Sequence, residues 1–395
     1  MESPRSEDEA RCLRHLPADA NRSEARVLFA PYRICPIGAH IDHQGGTVLG
    51  QAIDVGTTLA FAPRADDRIH VHSENYEGLA NTAVSDAEPV SGWGQYVWAA
   101  ARALADDLGA KPRGIEAVAC GSLPGGGLSS SASFLLAIQT ALLAVNDIEL
   151  DELDRVRAAW RAETEFVGLQ CGILDQTSIV AARADHLLAI DAARETWQSI
   201  AAGHAEDAAR FLVCFSGAER NLVTTGFNTR VAQCREAAAE LARLAGAPAS
   251  RHLGDHDTSV FEEFGAQLSP ELQRRATHFF GERERVADGI EAWRRGDLEA
   301  FGAAMQASCR SSIENFEVGT PELLTLQEIL ETTPGILGSR FSGAGFAGCV
   351  LALADGARAD EARERVERTY AARVPALAEN ARFFLVRSGD GVRFA

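Results

Sequence analysis

Residues 124–133 read PGGGLSSSAS, and what stands on either side of them decides the fold. Upstream, 114–123 (GIEAVACGSL) has the apolar character of a strand; downstream, 134–145 (FLLAIQTALLAV) continues as an apolar helix. The glycines therefore sit at a strand-to-helix turn. Gly125, Gly126 and Gly127 let backbone approach a ligand closely, and a helix opening near Ser130 aims free N–H groups and a positive dipole end at it. Such a turn holds an anion without lysine. Ser129, Ser130 and Ser131 add hydroxyl donors, or oxygen ligands for a hard ion such as Mg2+; the plainer alternative is a flexible turn with a serine helix cap.

Lysine is nearly missing from the whole chain. Of 38 basic residues only Lys111 is a lysine, in AKPRG ahead of a proline. A Walker-type loop needs lysine after its glycines and a protein kinase needs one on its third strand. Both plans are excluded, as is a lysine Schiff base, unless Lys111 itself serves. With 56 acidic residues the net charge is −18, which disfavours nucleic acid and anionic membranes as partners. No apolar run reaches the roughly 18 residues of a membrane helix. Eight cysteines without a CxxC pair, and an acidic opening without a signal-peptide pattern, fit reduced thiols in a cytoplasm.

A length of 395 residues with 46% apolar content predicts two domains, divided as 1–205 and 206–395 where the composition shifts near 195–208. Residues up to about 24 read as loose, 27–30, 48–62, 68–73, 186–190, 211–215 and 383–386 as strands, and 93–105, 230–244, 271–286 and 298–309 as helices. Helices and strands alternate without the period of a doubly wound sheet, so the class is α+β.

Two further segments carry chemistry. The helical pattern 153–167 has Leu153, Val156, Trp160 and Val167 on one stripe, and Glu163 falls on that stripe. A carboxylate there needs a metal ion or an arginine beside it. Twelve residues on, Asp175 in CGILDQ precedes a short helical pattern, where it suits a helix cap and, kept ionised, a proton acceptor. The other segment, 32–46, is YRICPIGAHIDHQGG, with Arg33, His40, Asp42 and His43 within eleven residues. Polar groups this dense suit a polyol, whose hydroxyls demand paired donors and acceptors. A metal site is the rival, with poor spacing for zinc, and a solvated loop the bland reading.

Together these segments resemble the GHMP kinases, small-molecule kinases named for galactose, homoserine, mevalonate and phosphomevalonate. YRICPIGAHIDHQGG resembles the galactokinase signature, PGGGLSSSA the family phosphate loop, AETEFVGLQCGILDQ (162–176) its metal and base segment, and GSRFSGAGFAGC (338–349) its third motif. The resemblance implies an α+β fold with a ribosomal-S5-like N-terminal and a ferredoxin-like C-terminal domain, and ATP and Mg2+ as cofactors. It implies Asp175 as the base, Arg33 as the cation beside it, and Gly125, Gly126, Gly127, Leu128, Ser129 and Ser130 around the phosphates. Ser131 and Glu163 would hold the metal. His40 and Asp42 would bind sugar hydroxyls, and Gly343, Ala344 and Gly345 would border the sugar and γ-phosphate.

Within the family the likeness is greatest to the galacturonokinases, through YRIC-P-x-GAHIDHQGGT, TTGFNTRV (224–231), SSIEN (311–315) and RFSGAGF. Galactokinases carry Glu where this chain has Ala39, and usually Tyr where it has His43. That Glu meets the C6 hydroxyl; facing a uronate carboxylate about 4 Å away it would repel it by roughly 1 to 4 kcal/mol. Alanine removes charge and bulk, leaving favourable contact to His40, to His43 or to an arginine that the sequence does not single out. Phe227 stands where these kinases have Tyr, so it packs against the ring but donates nothing. The implied activity is a D-galacturonate 1-kinase, with galactokinase or another hexose or hexuronate 1-kinase as the alternative and a non-catalytic sugar sensor as a distant one.

Overall fold

The computed structural model describes residues 4–122, 126–218, 226–346 and 348–395. Two sheets carry the architecture. In the first, β1 (Arg26–Ile34) runs into β2 (Thr47–Pro63), followed by β3 (Arg68–Ser73), β4 (Leu79–Ala83), β5 (Ile115–Gly121), β6 (His186–Asp191) and β7 (Thr196–Ala201). At 17 residues β2 is long enough to be shared. Its first residues, from Thr47 to Gly50, pair with β6, and the remainder pairs with β1 on one side and β5 on the other. Only β3 and β5 run parallel; the other pairings are antiparallel.

The second sheet comprises β8 (Ala209–Phe215), β9 (Ile336–Ser342), β10 (Cys349–Asp355) and β11 (Arg382–Val386), all antiparallel in the order β11-β8-β10-β9. With helices between β8 and β9 and between β10 and β11, this is the split arrangement of ferredoxin-like folds. The chain then returns to the first sheet. β12 (Arg393–Phe394) pairs with the outer edge of β1, matching Leu28 with Phe394 and Phe29 with Arg393.

Local chemistry sets the helices that position the cleft. Ser130–Val145 carries no charged residue, and it is buried along most of its length against β1, β2 and β5. The 26-residue helix Pro270–Arg295 starts where Ser269 accepts from the Leu272 N–H with proline in the first turn, and stops at Gly296 in the left-handed region. Asp297 then caps the next helix, Leu298–Glu314, by accepting from the Ala300 N–H.

Several sequence expectations are corrected. The opening segment is not loose: Pro4–His15 is a helix, and its Cys12 together with Leu16 just beyond its end packs on Ala60, Val118 and Cys120. Two apolar anchors in a charged dozen left no periodic signal. The pattern over 153–167 is an α-helix only over Glu152–Arg161; Ala162–Val167 widens into a π-helical turn closed by Gly168. Pro321–Glu331 is a helix that pattern reading passed over.

β9 lies unusually close to Leu298–Glu314. A Cβ on Gly338 would stand 1.9 Å from the Gly302 carbonyl oxygen, and one on Gly302 would stand 2.4 Å from that of Leu337. Gly338→Ala should therefore force strand and helix apart at a cost of about 1–3 kcal/mol. Urea unfolding checks this; an unchanged midpoint would mean that the pair separates freely.

Candidate active site

The site is built around one buried guanidinium. Arg33, near the end of β1, is 5% exposed and donates from Nε to Asp175 Oδ1 at 2.7 Å and from Nη1 to the Gly127 carbonyl at 3.3 Å. Its backbone N–H meets the Leu128 carbonyl at 3.1 Å. Burial works against its charge, but Asp175 more than offsets this and holds Arg33 above the ordinary arginine value. Asp175 lies in the first turn of the helix Leu174–Ala181 and caps nothing; its Oδ2 accepts from the Ser129 hydroxyl. The helix cap expected of Asp175 is thus replaced by two side-chain contacts. Ser129 is likewise no side-chain cap, although it stands in the left-handed region just before Ser130–Val145.

These groups open on a cleft of about 430 Å3 lined by Arg33, Ala39, His40, Asp42, Gly127, Ser129, Ser131, Glu163, Asp175, Phe227, Gly343 and Ala344. Leu128 is buried behind the turn, and Gly126, Ser130, His43 and Gly345 do not line the cleft. Gly125 and the first two residues of TTGFNTRV lie outside the described residues. The third motif presses on the phosphate-loop turn: Ser342 Oγ donates to the Gly127 carbonyl at 3.0 Å, and a Cβ on Gly343, at φ +73°, would come within 2.9 Å of that oxygen.

Glu163 faces inward from the π-helical turn, 3% exposed, and accepts from Ser131 Oγ at 3.4 Å and from Gln176. Among the described residues no arginine pairs with it, which removes one of the two partners expected. Burial, then the charge of Asp175, pushes its carboxyl up to about 8. An all-oxygen pair with an uncompensated buried carboxylate fits a hard divalent cation. No described cluster of three His, Cys, Asp or Glu could hold a metal, so His40, Asp42 and His43 do not form the rival metal site.

At the other end of the cleft, His40 is held at φ +64° and stacks on Phe316 at 4.4 Å. Burial, then neighbouring His278 and Arg340, lowers His40 well below the usual histidine range, so the ring is neutral. His43 meets Phe227 edge-on at 5.9 Å; burial, then Arg235, lowers it to about 3. The loop carrying Ala39 is pinned from behind by Pro270–Arg295: Glu282 Oε1 accepts from the Gly38 N–H at 2.8 Å, and His278 Nε2 meets the Ala39 carbonyl at 2.9 Å. Sequence reading missed His278, Glu282 and Arg340. Arg340 had a signal, an arginine inside the quoted RFSGAGF; the other two lie on an ordinary amphipathic helix.

Matches to family descriptions cover three parts of this frame: the galactokinase galactose-binding signature over 19–63, the GHMP kinases N terminal domain over 95–183 and the GHMP kinases C terminal region over 290–372. A galacturonokinase of Arabidopsis thaliana is 37% identical over 94% of both chains. The chain belongs to the GHMP kinase family. It has the GHMP kinase fold and is a sugar kinase of the galactokinase type, a phosphotransferase that uses ATP. A galactokinase of Enterococcus faecalis is 32% identical over 92% of this chain and 94% of its own. The crystal structure of Lactococcus lactis galactokinase complexed with galactose superposes with a TM-score of 0.88 at 26% identity, covering 99% of this chain and 100% of that one. No described helix is long and apolar enough to cross a membrane.

Asp42 gives the site a measurable pH signature. Its Oδ2 accepts from the Leu174 N–H at 3.3 Å, and a Cβ on Gly172 would sit 2.3 Å from that oxygen. Burial, then the charge of Asp175, raises its carboxyl to about 6. The folded chain thus binds this proton more tightly than the unfolded one. Ionising Asp42 costs no stability below about pH 4 and its full amount above about pH 6. Asp42→Asn should therefore gain stability over the wild type as the pH rises from 4 to 7, by about 1–2 kcal/mol for a partly buried group. Unfolding curves at the two pH values check this, and an equal effect at both would refute it.

Proposed function

We propose that the protein transfers the γ-phosphoryl group of ATP to the anomeric C1 hydroxyl of D-galacturonate, giving galacturonate 1-phosphate and ADP. The observation that carries the substrate is Ala39: a small, uncharged residue on the sugar end of the cleft wall, 5% exposed, in a loop whose other contacts are intact. The Arabidopsis relative named galacturonokinase supports the same reading. Galactose is the second reading, favoured by the galactokinases matched in sequence and structure.

Asp175 is the base. Arg33 holds one of its oxygens and Ser129 the other, so Oδ1 and Oδ2 are oriented before a sugar arrives. The C1 hydroxyl proton passes to the Asp175 carboxylate, the sugar oxygen bonds to the γ-phosphorus, and the bond from that phosphorus to the β,γ-bridging oxygen breaks, releasing ADP. Little bond making precedes the transition state in such transfers, so positioning and charge stabilisation supply most of the rate. The glycine-serine turn ahead of Ser130–Val145, with Gly127 and Ser129 on the cleft wall, cradles the phosphates with backbone donors. Mg2+ would be held by Ser131 and Glu163 and would neutralise charge on the β- and γ-phosphates. His40 and Asp42 bind sugar hydroxyls; Phe227 packs on the ring without donating; Gly343 and Ala344 border the sugar and the γ-phosphate. The division into domains 1–205 and 206–395 goes with this reading, the boundary falling between β7 and β8.

A panel of hexoses and hexuronates with ATP and Mg2+ tests the substrate. Galacturonate should show the highest kcat/KM, and galactose exceeding it would refute the reading. Asp175→Asn should lower kcat by about 10²–10⁴-fold while ATP and sugar still bind; unchanged turnover would show that another group takes the proton. Ala39→Glu should depress turnover of the uronate far more than that of a neutral sugar, and equal losses would count against the charge argument. Lys111→Ala should leave turnover unaltered, since nothing in the site uses lysine.

A further inference from the structure

Resting on the uronate reading above, we propose that Arg340 receives the substrate's carboxylate, forming with Ala39 and His40 a carboxylate subsite at the sugar end of the cleft. Arg340 lies on β9, is fully buried at 0% exposure, and lines the cleft. Three of its nitrogen positions differ in what they hold. Nε donates to the Phe341 carbonyl at 2.9 Å, Nη1 donates to Ser308 Oγ at 3.1 Å, and Nη2, shielded from bulk water, has no hydrogen-bond partner among the described residues. Buried donors are rarely left so.

The charges around it leave the same gap. The nearest carboxylate is Glu282, 3.9 Å from Nη1, and it is already committed to the Gly38 N–H, to Ser308 and to Arg285 Nε at 2.6 Å. Two guanidinium groups, Arg340 fully buried and Arg285 one-fifth exposed, thus share one carboxylate, so the network carries one net positive charge. The histidines do not alter the sum: burial lowers both His40 and His278, and for His278 it outweighs the opposing pull of Glu282. The excess charge belongs to the network that pins Gly38 and Ala39, the place where galactokinases carry a glutamate. A fixed glutamate there would supply the missing anion; alanine leaves the anion to the ligand. A uronate brings one at C6 and a neutral hexose does not, so affinity and discrimination come from the same vacancy of charge. His40 Nε2, also buried and without a partner among the described residues, adds a neutral contact beside the guanidinium.

The test compares galacturonate and galactose in the wild type, Arg340→Gln and Arg340→Lys, with folding checked by thermal unfolding. Arg340→Gln should lose about 100-fold in kcat/KM on galacturonate, mainly through KM, and less than about 5-fold on galactose, with Arg340→Lys recovering part of the loss. Equal losses on both sugars, or an unchanged preference, would overturn the proposal while leaving the substrate reading intact. A wild type that does not phosphorylate galacturonate refutes the substrate reading, and the subsite with it. If Arg340→Gln does not fold, the wild type decides through galacturonate against its uncharged amide. An arginine keeps its charge, so the preference for the acid should stay constant from pH 7 to 9; a preference falling about tenfold per pH unit would assign the charge to His40 or His43 and overturn the proposal.

Discussion

A guanidinium that is charged and almost wholly buried dictates what surrounds it. Arg33 needs an anion and an acceptor within reach, and it finds them on two different segments: Asp175, 142 residues downstream, and the carbonyl of Gly127. Satisfying one side chain therefore brings the polyol segment, the glycine turn and the acidic helix start to one point. The third motif adds itself through Ser342 and the close approach of Gly343 to the same carbonyl. That carbonyl is shared by two donors from separate sheets, so the turn is held from both sides before any phosphate arrives.

Charge is distributed against the chain's average. The net charge is −18, yet the cleft wall carries two nearly inaccessible arginines, Arg33 and Arg340. The same wall carries three carboxyl groups, those of Asp42, Glu163 and Asp175. A mixed wall of this kind suits a ligand pair that brings its own negative charges, because fields inside a low-dielectric cleft decide binding more than the mean charge of the surface.

Much of this was legible in the chain, for reasons that particular residues make clear. The strand-to-helix turn at Gly127 could be read because glycine and serine have few other uses between two apolar runs. Arg33 and Asp175 could be named, but nothing in the spacing of 142 residues says that they meet; the resemblance to known kinases supplied that. The local sequence of Asp175 suits a cap as well as a base, and tertiary contact with Arg33 and Ser129 takes precedence over the capping preference. His278 and Glu282 were invisible, since a polar residue on a long helix reads as solvated until the loop it supports is known. The helix Pro4–His15 was missed because its burial depends on two residues rather than on a repeating face.

The pairing of Leu28 with Phe394 and of Phe29 with Arg393 has a consequence for how the molecule is made. On the ribosome, the outer edge of β1 stays open while everything between is synthesised, including the whole second sheet. Edge strands with unpaired backbone are where foreign strands attach. The first sheet, although translated early, is thus sealed last, and the interval is one in which a chaperone or a neighbouring nascent chain competes for the same backbone groups. Once closed, that edge couples the two sheets, so they are expected to unfold as one unit rather than in sequence.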